Sequence, residues 1–219
     1  MSGGRPADKL EAYRKKRDPS KTPEPVPKST QKTSKPKPVA KAKRFVIQEH
    51  HATALHWDFR LERDGVLVSW AVPKGLPLDK TTNHLAIHTE DHPLEYASFE
   101  GDIPEDEYGG GKVILWDAGT YEELKWSDRE VMVVLDGKRV EGKYVLFATA
   151  GGKEKVGDRN WMVHRMDEPR AGYRSMPKSI SPMLASLGTL PKDDSEWTYE
   201  FKWDGIRAIA AVDGGRIKL

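Results

Sequence analysis

The 219-residue sequence has no cysteine. Disulfides, thiolate metal sites, iron–sulfur clusters and a cysteine nucleophile are excluded, and any transition metal must be held by histidine and carboxylate. No stretch approaches the roughly 20 apolar residues of a membrane span. No apolar run near the N-terminus has the form of a secretory signal, so a cytoplasmic setting without membrane contact is expected. Residues 1–44 lack the means to build a core: Tyr13 is their only aromatic, and seven of the 15 prolines fall there among many Lys, Ser and Thr.

The formal net charge of +2 hides an asymmetry. Of the 36 basic and 34 acidic side chains, 14 and 4 lie in residues 1–44, leaving 22 and 30 for the rest. A basic arm of +10 precedes an acidic body of −8. Basic arms commonly meet polyanions, nucleic acid above all; a merely solubilising tail is the plain alternative. The composition of residues 1–44 predicts a disordered or polyproline-like segment. Only residues 8–17 can make a short helix, with Leu10 and Tyr13 on one side and Pro19 limiting its end.

From Phe45 to about Met166 the chain is rich in β-branched and aromatic residues, in short runs broken by turn signals. Strands are expected at 44–48, 55–62, 66–72, 84–90, 112–116, 131–135, 142–148 and 161–165, with Asp64-Gly65 as a hairpin turn. About eight strands with little room for helix predict an all-β fold, a compact and nearly closed barrel over 45–166. A two-sheet sandwich is the competing arrangement. Residues 167–181 read as a linker. Residues 182–219 are too few to bury a core and look like the start of a further domain.

The most informative stretch is His50-His51-Ala52-Thr53-Ala54-Leu55-His56-Trp57-Asp58-Phe59-Arg60-Leu61-Glu62. Read with period two, Leu55, Trp57, Phe59 and Leu61 share one face, and His56, Asp58, Arg60 and Glu62 the other. Alternate residues are about 6.6 Å apart, so the second face carries an imidazole, a carboxylate and a guanidinium in a row. Two His and a carboxylate suit a first-row divalent metal. His56 and Asp58 supply two ligands, and His50 or His51 a third. Arg60 presents a fork suited to phosphate oxygens. An ordinary solvated charge ladder is the other reading. A second cluster, His84, His88, Glu90 and His92, follows, so six of the seven His lie within residues 50–92. The loop 107–112, Glu-Tyr-Gly-Gly-Gly-Lys, reads mainly as a tight turn, because no helix follows it as in a P-loop.

Several ordered motifs resemble one family. They are Phe45 to His50, Leu55 to Glu62, Ser69-Trp70-Ala71-Val72-Pro73-Lys74-Gly75, Glu90 to Tyr96, Phe99-Glu100-Gly101 and Ile103-Pro104-Glu105. With Tyr13 to Asp18 and Thr22 to Pro25 in the arm, the chain is similar to the 3′-phosphoesterase domain of bacterial ligase D over most of residues 8–166. The resemblance implies an Mn²⁺-dependent enzyme of bacterial non-homologous end joining, nucleoid-associated and working on DNA primer-template 3′ ends, with Ku a candidate partner. It would remove a 3′-terminal ribonucleoside, then the 3′-phosphate, leaving a 3′-OH. It implies His50, His56 and Asp58 as metal ligands and Arg60, His92 and Tyr96 around the scissile phosphate. Glu90 falls at a further activity position, and Asp18 and Glu24 at arm positions that favour the ribonuclease step. His84 stands where the family more often carries a phosphate-binding Arg.

The stretch 197–207 resembles the nucleotidyltransferase motif of ATP-dependent DNA ligases, with Lys202 at the adenylated position, then Asp204, Gly205 and Arg207. The chain stops 17 residues after Lys202, so neither ligase activity nor ATP use is expected of it. Two rivals to an end-healing enzyme stand: a DNA-end-binding module without turnover, and an inactive fragment of a ligase.

Overall fold

The computed structural model describes residues 8–28, 42–149, 159–177, 179–184, 186–201, 205–206, 208–213 and 216–219. The chain divides into two units, Met1–Tyr173 and Arg174–Leu219.

The first unit is built from nine strands: β1 (Lys43–His51), β2 (Leu55–Arg63), β3 (Val66–Val72), β4 (His84–His88), β5 (Gly101–Ile103), β6 (Gly111–Trp126), β7 (Glu130–Gly137), β8 (Glu141–Ala148) and β9 (Asn160–Arg165). The order β1-β2-β3-β4-β9-β8-β7-β6 closes on itself, because β6 also pairs with β1. The result is a closed eight-stranded antiparallel barrel, which leaves no unpaired edge in the ring. β5 lies outside the ring and pairs with residues 111–113 of β6, a stretch that β7, paired with 119–126, does not reach.

Local chemistry explains the elements. Asp64 and Gly65 both take positive φ, 48° and 83°, as a two-residue hairpin turn of the type that matches strand twist requires. Inward positions follow period two: Phe45 and Ile47 on β1, Phe59 and Leu61 on β2, Trp70 and Val72 on β3. Val131, Val133 and Leu135 on β7, Tyr144 and Leu146 on β8, and Trp161 and Val163 on β9 complete the core. β6 runs ten residues past the end expected at 116, because Tyr121 keeps the inward alternation going among polar neighbours. Asp117 on that strand is buried and accepts backbone N–H bonds from Ala118, Lys138, Arg139 and Val140, fixing the β7–β8 turn.

The expectation of disorder fails for residues 8–28. A single helical turn, α1 (Glu11–Lys15), forms where a short helix was expected. Tyr13 is fully buried in a second apolar cluster with Leu67 and Tyr96, and its hydroxyl donates to the Pro25 carbonyl at 3.0 Å. Composition understates this segment because Tyr13 borrows apolar partners from outside it. The short 3-10 helix Leu94–Ser98 supplies one of them, Tyr96.

The second unit has one two-stranded hairpin, β10 (Ala211–Asp213) with β11 (Arg216–Lys218). Met183, Leu184, Leu187, Phe201 and Ile206 are exposed. Of the ligase-like motif, Lys202, Asp204 and Arg207 lie outside the described residues, and Gly205 sits in an exposed bend. Among the described residues no helix is long and apolar enough to cross a membrane.

Candidate active site

The outward face of β1, β2 and β3 carries polar side chains around the apolar Leu67, and the arm and the 3-10 helix pack on it through Tyr13 and Tyr96. Gln48, Asp58, Arg60 and Ser69 are all buried. Beside them opens a cleft of ≈ 300 Å³ lined by the outer faces of these strands, the Gly-rich loop, residues 89–96 and the arm.

Register places the histidines. His50 pairs with His56 across β1–β2, and Gln48 with Asp58. His50, His56 and Asp58 offer ligand atoms that all lie within 4.8 Å of one another. The histidine that completes this group is therefore His50, not His51. His51 points the other way, exposed, against the Glu49 carboxylate at 2.6 Å.

Second partners fix the tautomers. His50 Nε2 lies 2.9 Å from the Gly109 carbonyl, and His56 Nδ1 lies 2.9 Å from the Ala54 carbonyl. A carbonyl only accepts, so each of these nitrogens carries the proton. The lone pairs of His50 Nδ1 and His56 Nε2 then face Asp58, at 3.5 Å from Oδ2 and 3.7 Å from Oδ1. Three acceptors converging on one gap repel unless a cation lies among them. Two imidazoles and a carboxylate at such spacings fit a first-row divalent ion, whose ligands at about 2.0–2.2 Å stand 3–4 Å apart.

Burial by itself would raise the Asp58 carboxyl. The Arg60 guanidinium outweighs this and holds it well below the usual carboxylate range, so it is ionised. Arg60 donates to Gln48 Oε1 at 2.9 Å, Ser69 Oγ at 2.9 Å and Asp58 Oδ2 at 3.0 Å, and stacks 4.7 Å from the Tyr96 ring centroid. Its orientation is over-determined.

The arm supplies a second guanidinium. Arg17 donates to Glu24 Oε1 at 2.9 Å and Glu90 Oε1 at 3.1 Å, stacks 3.8 Å from the Tyr13 centroid, and brings Nη2 to 3.4 Å from His92 Nε2. Lys16 takes the other Glu90 oxygen at 2.9 Å. Burial opposes ionisation of Glu90, and the bonds from Lys16 and Arg17 outweigh it, lowering its pKa. His92 Nδ1 bonds the Glu90 carbonyl at 2.8 Å. Burial, then Arg60 and Arg17, push its pKa well below the usual histidine value, so it is neutral at neutral pH. The Tyr96 hydroxyl is pushed up by burial and keeps its proton.

Among the expected site residues, His50, His56, Asp58, Arg60, Glu90, His92, Tyr96 and Glu24 line one cleft. Two do not. His84 Nδ1 is taken by the Gly75 carbonyl at 2.7 Å, on the β4 face whose neighbour Ala86 enters the core. Asp18 is exposed, and its carboxylate accepts from Ser20 N and Oγ to shape the turn that leads to Thr22 and Glu24. His88, in the same sequence cluster, packs against Trp70 and Trp161.

Sequence reasoning overlooked Arg17, Gln48 and the supporting role of Ser69. Period two from His50 points back to Gln48, so that signal was present. No pattern distinguishes Arg17 from its basic neighbours. The Gly-rich loop is the tight turn expected, yet it also orients His50 through the Gly109 carbonyl. Gly111 is required there: at φ 135°, an added Cβ would fall 2.3 Å from the His51 carbonyl oxygen.

Comparison with known proteins agrees with this geometry. Residues 48–148 match the family model described as the DNA ligase D 3′-phosphoesterase domain. The chain is 50% identical over 218 residues to the Multifunctional non-homologous end joining DNA repair protein LigD of Mycobacterium tuberculosis. It is 46% identical over 225 residues to its counterpart in Mycolicibacterium smegmatis, and 36% identical over 256 residues to that of Pseudomonas aeruginosa. These alignments cover 97%, 97% and 96% of this chain but only 27%, 27% and 30% of the relatives, so the chain spans under a third of their length. Over residues 48–148 the barrel is similar to the DNA ligase D 3′-phosphoesterase domain.

Proposed function

We infer that the barrel is a metal-dependent phosphoesterase that heals DNA 3′ ends in bacterial non-homologous end joining. It removes a 3′-terminal ribonucleoside and then the 3′-phosphate, leaving a 3′-OH. One observation carries the reading: the convergence of His50 Nδ1, His56 Nε2 and Asp58 on a gap beside the clamped Arg60 guanidinium.

Charge supports metal dependence. The cleft lining holds two cations, Arg17 and Arg60, and three carboxylates, Glu24, Asp58 and Glu90. That balance of −1 repels a phosphate, and a divalent ion turns it to +1. Mn²⁺ is the ion we assign; when bound it supplies Lewis-acid polarisation of the phosphoryl group. Arg60, locked by Gln48, Ser69 and Asp58, offers fixed positive charge to the equatorial oxygens. His92, neutral and protonated on Nδ1, turns its Nε2 lone pair towards the Arg17 guanidinium and can exchange a proton with the reacting phosphate. Tyr96 keeps a proton to donate. Glu24 and Glu90 hold Arg17 at the cleft, and Asp18 shapes the turn that delivers Glu24.

The test uses 5′-labelled primer-templates ending in one 3′-ribonucleotide or in a 3′-phosphate, with Mn²⁺ or with chelator. The expected result is trimming of both to a 3′-OH with Mn²⁺ only, lost in His56→Ala. Tight DNA binding without turnover would replace this reading with that of a binding module.

A further inference from the structure

The cleft has two tyrosines in unlike settings. Tyr96 is on the floor at 2% exposure, and Tyr108 is at the mouth at 46%. The steps above give the Tyr108 ring no task, yet its position is closely determined. Its neighbour Gly109 accepts the His50 Nε2 hydrogen bond at 2.9 Å, so the ring is one residue from the partner of a candidate metal ligand. The loop is stiff: Glu107 N bonds Pro104 O and Gly110 N bonds Glu107 O, each at 3.0 Å. A Cβ at Gly110 would fall 2.7 Å from Pro104 O, so the loop already sits against its own backbone. Lys16 Nζ donates to the Tyr108 hydroxyl at 2.9 Å and lies 4.3 Å from the ring centroid. Loop and arm together hold an exposed aromatic ring beside a polar gap.

We propose that Tyr108 is the positioning contact for the nucleoside beyond the scissile phosphate. Its ring packs against the sugar or base of the 3′-terminal ribonucleoside while the linking phosphate lies at His50, His56 and Asp58. This rests on the phosphoesterase reading and deepens it, because it assigns the part of the substrate that the first step releases. An aromatic face suits that part: base–aromatic stacking is tolerant of sequence, and its loss on alanine substitution costs about tenfold or more in binding. A primer ending in a 3′-phosphate has no such nucleoside, so the contact discriminates between the two steps.

The experiment measures KM and kcat on both primer-templates with Mn²⁺, for the full chain and for Tyr108→Ala, Tyr108→Leu and Tyr108→Phe. Thermal melting checks that each variant is folded. Tyr108→Ala and Tyr108→Leu are expected to raise KM on the ribonucleotide end about tenfold. Their effect on the 3′-phosphate end is expected to be at least about fivefold smaller, since no stacking partner is lost there. Tyr108→Phe keeps the ring and is expected to restore KM. Equal losses on both ends would show that the ring only holds the His50 loop and would overturn the assignment. So would an unchanged KM, or a Tyr108→Phe as impaired as Tyr108→Ala, which would make the Lys16 tether the functional element. Should Tyr108→Ala not fold, Tyr108→Leu, of similar bulk without a π face, decides by the same criteria. A wild type inactive on both ends would remove the phosphoesterase reading and this contact with it; the other outcomes bear on the contact alone.

Discussion

On β2, Phe59 and Leu61 point into the barrel and are fully buried among apolar side chains. Asp58 and Arg60, on the same strand and almost as deeply buried, point outward among polar ones. Burial therefore does not separate the two faces; the partners do. Inside, neighbours gain by excluding water, and the few polar tips, such as the Tyr121 and Tyr144 hydroxyls, donate to backbone carbonyls. Outside, each charge is buried only because another satisfies it: Asp58 by Arg60, Arg60 by Gln48 and Ser69, and Arg17 by Glu24 and Glu90. Such a network adds little net stability compared with an apolar core, but it holds charge in fixed directions beside a cleft.

Substitutions on the two faces should separate stability from activity. Phe59→Ala should cost about 3–5 kcal/mol of stability, read as a lower denaturation midpoint, while the protein that remains folded keeps its candidate metal site. Loss of metal affinity in that folded fraction would mean that the two faces are coupled. Arg17→Ala leaves Glu24 and Glu90 buried without their shared cation and should cost about 3 kcal/mol as well as activity. Arg17→Lys should recover part of the stability, because it restores charge without the two-armed geometry.

His56→Ala should show the reverse of Phe59→Ala. Its side chain is 21% exposed and outside the core, so stability should change by less than about 1 kcal/mol. Turnover and Mn²⁺ affinity, followed by calorimetry, should fall at least about a hundredfold, since disturbing even an outer partner of a metal ligand costs 10–100-fold.

The smallest effect concerns Asp91, whose carboxyl is pushed up to about 6 by burial, with Lys9 opposing. A folded pKa above the unfolded one stabilises the protonated form, so this contribution is complete below about pH 4 and is lost as pH rises through about 6. Allowing for partial exposure, the wild type should lose about 1–2 kcal/mol between pH 4 and 7 from this group. Asp91→Asn should flatten that slope in urea melts. An unchanged slope would show that Asp91 is more solvated than its surroundings suggest.

Much of the inward face was legible in the sequence. Alternation in 55–62 and 131–135 and the Asp64-Gly65 turn are local, so the all-β class and most strands follow from them, whereas the short β5 and the choice of a closed barrel over a sandwich came with the pairing of β1 and β6. The end of β6 was not legible, because polar residues on an exposed strand face resemble a loop. The candidate site was half legible. His56, Asp58 and Arg60 lie on one strand, and period two puts them on one face. The later histidines were misleading: His84, His88 and His92 share a stretch of sequence, but β4 turns the first two away from the cleft and only His92, bridged to Leu67, reaches it. Proximity along the chain does not settle facing when a strand ends between residues.

The sequence by itself determined the all-β architecture, the absence of thiol chemistry, the basic arm and the ligand types available for a divalent ion, because these depend on residue identity and short-range periodicity. Only the tertiary structure decided that His50 rather than His51 completes the triad, that the arm from Asp8 to Lys28 is ordered, and that Arg17 reaches the cleft. Each of these depends on partners distant in sequence: Gly109 for His50, Leu67 and Tyr96 for Tyr13, and Glu90 for Arg17. Closing the barrel brings those partners together, and no local pattern carries their positions.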